Sequence, residues 1–394
     1  MLVAPRFLFR PSCSSTEKNR DVAVDAAVNT RMEQAAGGNM SASSMKRLGV
    51  AVGLVCVVFL QYNNAGTNTS KRVRMKNILI TGVAGFIGSH LAEALRQRGD
   101  CVTGLDNFND YYDPAVKRRN VSGLLGSDRF YLEEADICDE AALRVVFETR
   151  KPDVVVHLAA RAGVRPSLED PNLYHRVNVI GGQHILDACR ACKPSHLVFA
   201  SSSSVYGGST DVPFSETDPV MRPISPYAAT KRMNELQAHV YSHLYGINIT
   251  MVRFFTVYGP RQRPDMAIHK FTRLICEGKP IPMFGNGDTR RDYTYIDDIT
   301  HGLLQCVDRP FRYEIFNLGE SHTTSLRDLI ALIEKYTGRK ANIEHKPVQP
   351  GDVEITYANI DHARALLDYN PRFTMDEGVE RFVSWFREQE RDAS

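Results

Sequence analysis

NILITGVAGFIGSHLAEALRQRG, residues 77–99, contains the strongest structural pattern in this sequence. It begins with an apolar run rich in β-branched residues, typical of a buried strand, and continues into an amphipathic helical pattern. Between the two lie Gly82, Gly85 and Gly88, spaced G-x-x-G-x-x-G. In such a turn one glycine permits the tight bend, another lets the backbone approach a pyrophosphate, and the third lets the helix pack on the strand. The segment therefore predicts a dinucleotide-binding turn.

Strand-like apolar segments recur after this turn and are separated by segments with helical periodicity. Such alternation of strands and helices is typical of a parallel sheet covered on both faces. The fold class that the sequence predicts is therefore α/β, with a doubly wound parallel sheet. The further strand-like segments are 101–106, 130–136, 154–160, 196–204 and 247–255.

Aspartates end the second and third predicted strands. Asp106 ends the second, where a carboxylate accepts hydrogen bonds from a ribose diol and repels a 2′-phosphate. This favours NAD over NADP as cofactor, although a loop aspartate that caps a turn is the plainer alternative. Asp136 and Ile137, at the end of the third strand, are placed to meet the adenine side of the cofactor. Phe86 and Ile87, inside the glycine turn, complete the candidate NAD contacts.

The composition is that of an ordinary folded protein of enzyme size. Of the 394 residues, 43% are hydrophobic and 24% are charged, and the formal net charge is +2. A balance so close to neutrality provides no basic excess for nucleic acid. The eight cysteines are scattered. Their one close pair, Cys189 and Cys192, has no second pair or histidine cluster beside it, so we expect neither a disulfide scaffold nor a metal site.

The N-terminal region differs from the rest of the chain. Residues 1–45 are rich in Ser, Ala, Asn and Arg without a sustained period, and we expect them to be disordered. Residues 46–62 carry two basic residues and then an apolar run, which fits a signal anchor or a signal peptide better than a buried core helix. Residues 63–75 would form a stem, glycosylated at Asn68 if the stem is lumenal. Met45 is an alternative start of translation.

Four serines close the fifth predicted strand, in ASSSSVYG at residues 200–207, and a Y-x-x-x-K pair follows them. A helix places Tyr227 and Lys231 on one face, one turn apart. A lysine ammonium near a phenol stabilises the phenolate and lowers its pKa from about 10 towards neutral. Tyr227 is thus the candidate group that exchanges a proton with a substrate hydroxyl.

Together these motifs resemble the extended short-chain dehydrogenase/reductase family, over residues 76 to about 390. The matching pieces, in the family's order, are TGVAGFIGSH, LDN, DICD, HLAA, SSSSVYG and YAATK. The resemblance implies a Rossmann domain at 76–258 that binds NAD and carries the catalytic residues. It also implies a smaller, mainly substrate-binding lobe at 259–394, with nucleotide sugars as usual substrates. We expect a strand near 313–320 to return to the main sheet.

The serine run narrows the chemistry that the resemblance implies. By resemblance, Ser202 relays the proton between the sugar hydroxyl and Tyr227, with Lys231 as the third catalytic residue. Family dehydratases carry an Asp-Glu pair at the next two positions, as the acid and base that eliminate water. This chain has Ser203 and Ser204 there, so elimination lacks its acid–base pair. Oxidation followed by re-reduction remains, which implies an epimerase.

Four further segments resemble the UDP-glucuronate 4-epimerase group of the family. That group interconverts UDP-glucuronate and UDP-galacturonate by transient oxidation at carbon 4 with tightly bound NAD. Thr256 matches the group, whereas UDP-galactose 4-epimerases carry Asn there. Its hydroxyl, with those of Ser203 and Ser204, suits a sugar carboxylate. The four segments are 105–119, 159–171, 254–267 and 290–299.

Three more residues are substrate-binding candidates by resemblance. Arg263 and Arg291 match arginines that meet the substrate's anionic groups, and guanidinium forks suit diphosphate and carboxylate oxygens. Asp352 matches a residue that meets the uridine ribose. The plainer alternatives are a β-forming residue at Thr256 and solvated surface charges at the two arginines.

The chain departs from the group's pattern beside the predicted substrate region. Arg161 stands where Gln is commoner, Pro166 where Tyr often occurs, and Arg261-Gln262 where Trp-Gly is more usual. These departures leave the exact sugar open. A UDP-galactose or UDP-pentose 4-epimerase is the nearest alternative function. A non-catalytic NAD- or sugar-nucleotide-binding protein is the remote one.

Plant members of the group resemble this chain at the N-terminus too. The resemblance implies a single-pass type II protein of the Golgi membrane with a lumenal catalytic domain. Release into the secretory pathway after cleavage and a cytoplasmic location are the alternatives. The expected partners are a UDP-sugar, a second copy of the chain in a homodimer, and a membrane through residues 46–62 if the anchor is retained.

Overall fold

The computed structural model describes residues 75–347 and 353–392. The predicted tail at 1–45, the hydrophobic segment at 46–62 and nearly all of the stem at 63–75 lie outside these ranges. Within the described ranges, no helix is both long enough and apolar enough to span a membrane.

Parallel strands form the central sheet, which confirms the predicted fold class. The strands of the described residues are β1 (Asn77–Thr81), β2 (Cys101–Asp106), β3 (Phe130–Glu134), β4 (Val154–His157), β5 (His196–Ser202), β6 (Ile249–Phe254), β7 (Thr256–Tyr258), β8 (Pro280–Phe284), β9 (Arg290–Arg291), β10 (Tyr293–Tyr295), β11 (Tyr313–Leu318), β12 (Thr324–Ser325) and β13 (Asn342–Lys346). Seven of them make one sheet in the order β3-β2-β1-β4-β5-β6-β11. The order reverses between β1 and β4, and open α/β sheets bind ligands at such a switch point.

Helices cover both faces of this sheet. In β1, Ile78 and Ile80 belong to one hydrophobic core and Leu79 to the other, because successive strand residues point to opposite faces. The helices are α1 (Phe86–Arg98), α2 (Pro114–Ser122), α3 (Glu140–Arg150), α4 (Val164–Glu169), α5 (Pro171–Tyr174), α6 (Gly181–Cys192), α7 (Pro226–Tyr245), α8 (Ala267–Cys276), α9 (Ile296–Asp308), α10 (Leu326–Thr337), α11 (Asp361–Leu367) and α12 (Met375–Asp392). A π-helical stretch, His175–Ile180, joins α5 to α6.

The fifth strand ends at Ser202 instead of running through all four serines. The Ser202 hydroxyl oxygen accepts a hydrogen bond from the Ser204 amide at 3.2 Å, and Ser203–Tyr206 form a 3₁₀ turn. Serine side chains that accept hydrogen bonds from nearby backbone amides compete with the backbone hydrogen bonds between neighbouring strands. The serine run is therefore a corner at the carboxyl edge of the sheet.

The last strand of the sheet comes from the C-terminal part of the chain. β11 pairs in parallel with β6, which places Tyr313 opposite Ile249 and Leu318 opposite Phe254. The rest of this part forms a smaller α/β region built on the strand pairs β7–β10, β8–β13 and β9–β12. Phe382 of α12 is buried in the same core as residues of β1 and α1, so the two regions are packed as one body.

Candidate active site

A cavity of about 660 Å³ opens where the parallel strands end. It lies along the carboxyl ends of β2 to β6, at the switch point of the sheet. The sequence-predicted residues that line it are Gly82, Gly85, Phe86, Ile87, Gly88, Asp106, Asp136, Ile137, Ser202, Ser203, Ser204, Tyr227, Lys231, Thr256 and Arg263. The structure thus brings all but two of the candidate site residues into one cavity.

The glycine turn leaves a cradle without side chains at the N-terminus of α1. Gly82 has φ +74°, and a Cβ added to it would lie 2.8 Å from the Ala159 nitrogen. A Cβ on Gly88 would lie 2.9 Å from the Val83 Cα, so any larger residue pushes α1 away from the turn. Gly85 is the N-cap of α1 and carries no capping side chain. The free amides of this helix start face the cavity, which fits the diphosphate of a dinucleotide.

Asp106 presents a carboxylate at the end of β2. Its two oxygens accept hydrogen bonds from the amides of Ala84 at 3.1 Å and Phe108 at 2.9 Å. Burial raises the pKa of this carboxyl, and those amides and the Lys117 ammonium oppose the rise. Each oxygen keeps a further lone pair for a ribose hydroxyl. The cradle and Asp106 together fit NAD.

Asp136 lines the cavity beside Ile137, and its contact with the adenine side of the cofactor stays a prediction. Its carboxylate accepts hydrogen bonds from the Cys138 amide at 2.8 Å and the Asn107 side-chain amide at 2.9 Å. Burial pushes its pKa upwards, but the hydrogen bonds prevail and hold the pKa below its usual value. Asp136 therefore also fixes the turn that follows β3.

Ser202, Tyr227 and Lys231 meet between the end of β5 and the first turns of α7. The Tyr227 phenol and the Ser202 hydroxyl both line the cavity, and the Tyr227 amide donates to the Ser167 hydroxyl at 3.1 Å. The Lys231 ammonium is buried and donates to the Ala200 carbonyl at 2.9 Å. A hydroxyl, a phenol and an ammonium are thus held together at the cavity wall.

The acidity of Tyr227 differs from the sequence-based expectation. Burial raises the pKa of its phenol above the ordinary value, while the Ser202 hydrogen bond and the Arg263 charge act in the opposite direction. Burial also lowers the pKa of Lys231 to about 8, and Glu235 partly offsets this. The difference arises because the Lys231 ammonium bonds to a backbone carbonyl and is itself desolvated.

A buried polar network supports these residues from below, and sequence reasoning did not find it. Glu235, one turn beyond Lys231, accepts two hydrogen bonds from the Arg253 guanidinium, at 2.8 and 3.0 Å. The Ser201 hydroxyl donates to the same carboxylate at 2.7 Å. Arg253 also donates to the Tyr206 hydroxyl at 3.0 Å. The network ties α7 to β5 and β6 directly beneath the cavity.

The part of the cavity wall next to Ser202 carries several hydroxyl groups. Ser203, Ser204 and Thr256 are half-buried and line the cavity next to Ser202. Ser202 donates a hydrogen bond to the Ser204 hydroxyl at 3.1 Å. The only carboxylates among the lining residues of the described chain are Asp106 and Asp136, at the cofactor end. No carboxylate therefore lies beside Tyr227 in the lining to act as a second acid or base.

Arg263 reaches the cavity with its charge already partnered. Its guanidinium donates to Asp265 at 2.9 and 3.0 Å and lies 5.3 Å from the ring centroid of Tyr111. Arg291 lies outside the cavity lining, in β9, where it donates to the carbonyls of Arg290 at 2.9 Å and Glu354 at 3.4 Å.

Asp352 lies outside the described residues. The predicted roles of Arg291 and Asp352 remain predictions.

Several lining residues were not assigned a role by the sequence. Tyr111 and Lys117 belong to the quoted segment 105–119, and Arg161 to the segment 159–171. Arg176 comes from the π-helical stretch, which no pattern in the sequence predicts. Segments 105–119 and 159–171 both resemble the UDP-glucuronate 4-epimerase group, and that resemblance was the available sign that they face a ligand.

Comparison with known proteins agrees with this site. The chain matches the model of the NAD dependent epimerase/dehydratase family over residues 78–319. The UDP-glucuronate 4-epimerase of Thermodesulfobacterium geofontis is 44% identical over 311 residues, which cover 79% of this chain and 96% of that protein.

Two solved structures show the same architecture. The Bacillus cereus UDP-glucuronic acid 4-epimerase, in complex with UDP-glucuronic acid and NAD, has a TM-score of 0.75 and 36% identity, and the match covers 79% of this chain and 99% of that one. The Thermotoga maritima UDP-glucose 4-epimerase, with UDP-glucose, has a TM-score of 0.74 and 31% identity, with coverages of 80% and 99%. The chain therefore belongs to the NAD-dependent epimerase/dehydratase family and is an NAD-dependent 4-epimerase of nucleotide sugars.

Proposed function

We propose that this enzyme interconverts UDP-glucuronate and UDP-galacturonate. The observation that carries the proposal is the hydroxyl edge of Ser203, Ser204 and Thr256 next to Tyr227, without a carboxylate in that part of the lining. Hydroxyl donors at this edge suit an anionic sugar carboxylate, which a neighbouring Asp or Glu would repel. The relatives named UDP-glucuronate 4-epimerase support the same substrate.

The proton chemistry falls to Tyr227 and Ser202. The proton of the sugar 4-hydroxyl passes through Ser202 to the phenolate oxygen of Tyr227 and returns along the same path after the sugar has turned its other face. The Arg263 charge and the Ser202 hydrogen bond favour the phenolate, and the Lys231 ammonium lies one helical turn away. NAD, held by the glycine cradle and Asp106, supplies reversible hydride acceptance at carbon 4 and is therefore regenerated in each turnover.

Thr256 has a particular part in this proposal. The 4-keto form of a uronic acid is a β-keto acid, which loses its carboxylate most easily when the breaking bond stands perpendicular to the ketone plane. Hydrogen bonds from Thr256 and the serines would hold the carboxylate nearer that plane and suppress the loss. We therefore predict that Thr256→Val raises the share of UDP-pentose among the products. An unchanged product ratio, with turnover retained, would exclude this role.

The direct test uses the purified full-length chain, UDP-glucuronate and no added cofactor, with chromatographic separation of the products. We expect UDP-galacturonate to accumulate towards an equilibrium mixture, because bound NAD is regenerated. Tyr227→Phe serves as the matched control and should form no product. Turnover of UDP-glucose or a UDP-pentose, with none of UDP-glucuronate, would assign the enzyme to a neutral sugar, as in the Thermotoga maritima enzyme.

We also propose that the enzyme is held in the Golgi membrane by residues 46–62, with its catalytic part in the lumen. The apolar run of this segment and Lys46 and Arg47 before it support that orientation. Protease treatment of intact Golgi vesicles should leave the catalytic part intact and degrade it only after detergent is added. Degradation without detergent would place the catalytic part in the cytosol.

A homodimer is the proposed quaternary state. The outer face of α7 carries an exposed apolar stripe of Met233, Leu236, Val240 and Leu244, each 40–62% exposed. The stripe extends along most of a 20-residue helix, and pairing with its own copy about a two-fold axis would remove it from water. Leu236→Glu should convert a dimer to a monomer in light scattering. A monomeric unmodified protein would refute the proposal.

A further inference from the structure

The cavity holds more positive than negative charge. Five cationic side chains line it against two carboxylates, Asp106 and Asp136, an excess of three. Three of the cations have close polar partners in the structure: Arg263 with Asp265, Lys117 with Asn109, and Lys231 with the Ala200 carbonyl. The cations are Lys117, Arg161, Arg176, Lys231 and Arg263.

Arg161 stands apart among these cations. Its backbone is fixed on both sides by one side chain, because the Arg161 amide donates to the Asn178 Oδ1 at 2.8 Å and the Asn178 Nδ2 donates to the Arg161 carbonyl at 3.0 Å. Asn178 is buried and its Nδ2 also donates to Thr230 on α7 at 3.0 Å. Asn178 therefore connects the backbone of residue 161 to α7, the helix that carries Tyr227 and Lys231.

The Arg161 side chain projects from this fixed backbone to the ring of Tyr111. Its guanidinium lies 5.4 Å from that ring's centroid, close to the 5.3 Å of Arg263, so both arginines contact one tyrosine. Within residues 75–347 and 353–392, no carboxylate forms an ion pair with Arg161. A half-buried guanidinium without an anionic partner is costly unless a ligand supplies one.

We propose that Arg161 binds the diphosphate of a ligand in this cavity. Both ligands of the family's chemistry, NAD and a nucleotide sugar, carry a diphosphate, and the five donors of a guanidinium match its oxygens in pairs. Tyr111 provides the flat surface on which the guanidinium rests, so little side-chain freedom is lost on binding. This inference rests on the proposed function only through the diphosphate that all its candidate substrates share, and the identity of the sugar does not enter.

The test measures the two diphosphate ligands separately on the full-length chain. Calorimetry with UDP reports the nucleotide-sugar site, and the rate at which NAD is lost during dialysis reports the cofactor site. Loss of one charge-assisted hydrogen bond corresponds to roughly a tenfold effect. We expect Arg161→Gln either to weaken UDP binding about tenfold or to speed NAD loss about tenfold. The first result assigns the substrate diphosphate, and the second the cofactor diphosphate.

Two further variants keep the test decisive. Arg161→Lys retains the positive charge but loses the paired N–H donors of the guanidinium. Its UDP affinity or its rate of NAD loss should therefore lie between those of the unmodified protein and Arg161→Gln. Arg144→Gln removes an exposed charge from α3 and should change neither measurement. Unchanged UDP affinity and unchanged NAD loss in Arg161→Gln would overturn the proposal. An equal effect of Arg144→Gln would overturn it too, because the cause would then be general charge.

UDP has no sugar attached to its β-phosphate, so this outcome is independent of which sugar the enzyme epimerises. If the unmodified protein does not turn over UDP-glucuronate, the proposed function fails while the UDP measurement still decides the role of Arg161.

Discussion

Glu235 does not itself line the cavity, but replacing it by glutamine perturbs the residues that do. The side chain of Glu235 is fully buried and its carboxylate accepts hydrogen bonds from Arg253, Arg232 and Ser201. Glutamine keeps the size but offers only one accepting oxygen. Its NH₂ group would face the donors of Arg253, so the substitution leaves the buried guanidinium with one of its two bonds to residue 235.

The magnitude follows from the burial of Arg253. That residue is 1% exposed, so water cannot replace the lost carboxylate oxygen. Breaking a buried ion pair by removing one partner costs about 3–5 kcal/mol of unfolding free energy. Because folded proteins are stable by about 5–15 kcal/mol, we expect a loss of about a fifth or more of the total stability.

The same substitution acts on Lys231 through charge. Burial lowers the pKa of the Lys231 ammonium to about 8, and Glu235 is the charge that opposes this. Removing Glu235 therefore lowers the pKa further, so Lys231 loses its proton at lower pH. We expect the ammonium to be the active form of Lys231, so the alkaline limb of the kcat/KM profile should move below pH 8.

Urea unfolding at pH 7 and a pH profile of kcat/KM between 6 and 10 measure the two effects. Glu277→Gln is the matched control, because Glu277 lies at the surface and its ion pairs within the described ranges are with Arg273 and Lys279. That control should be indistinguishable from the unmodified protein in both assays. A stability loss in Glu235→Gln below about 1 kcal/mol, or an alkaline limb that does not move, would refute the account of this network.

Three further predictions concern the proton donor, the glycine turn and an acidic group near β10. Tyr227→Phe should lower kcat by at least about 10²-fold with unchanged NAD content; parallel loss of NAD would show a cofactor-binding role instead. Gly88→Ala should reduce the NAD retained after gel filtration, whereas Gly123→Ala, where a Cβ meets nothing within 4 Å, should retain it fully. Burial and the charge of Asp298 raise the pKa of Glu320 from 4.5 to about 8, so folding favours its protonated form. Glu320→Gln should therefore gain in Tm over the unmodified protein between pH 4.5 and 8 and hold that gain above pH 8; a gain independent of pH would contradict this.

The fold and the cofactor end of the cavity were predictable because they depend on patterns among residues that are close together in the sequence. Gly82 has a positive φ and Gly88 packs against the backbone of the same turn, so both glycines belong to one local motif, and Asp106 ends its strand. The parallel sheet follows from alternation along the chain. The order of these elements also places Ser202 at a strand end, although the corner made by Ser204 shortens the strand that the apolar pattern predicts.

The remaining features depend on contacts between distant segments. Glu235 and Arg253 each look like ordinary charged residues in sequence, and only the packing of α7 on β6 reveals their pairing. The acidity of Tyr227 and Lys231 depends on desolvation, which no spacing encodes. Only the pairing of β9 with β12 shows that Arg291 lies outside the cavity lining, and its role towards a substrate stays a prediction.

The late position of β11 in the chain affects the folding of this enzyme during its synthesis as well as its final structure. Every catalytic residue is translated before Tyr313–Leu318, yet β6 has no partner on its outer side until that strand has left the ribosome. Until then, β6 presents the unpaired backbone groups through which nascent chains associate with one another. Asn317 of β11 also completes the polar network through the Tyr206 hydroxyl, at 2.7 Å. Chaperones should therefore engage this chain chiefly while the ribosome is translating the interval between β7 and β11.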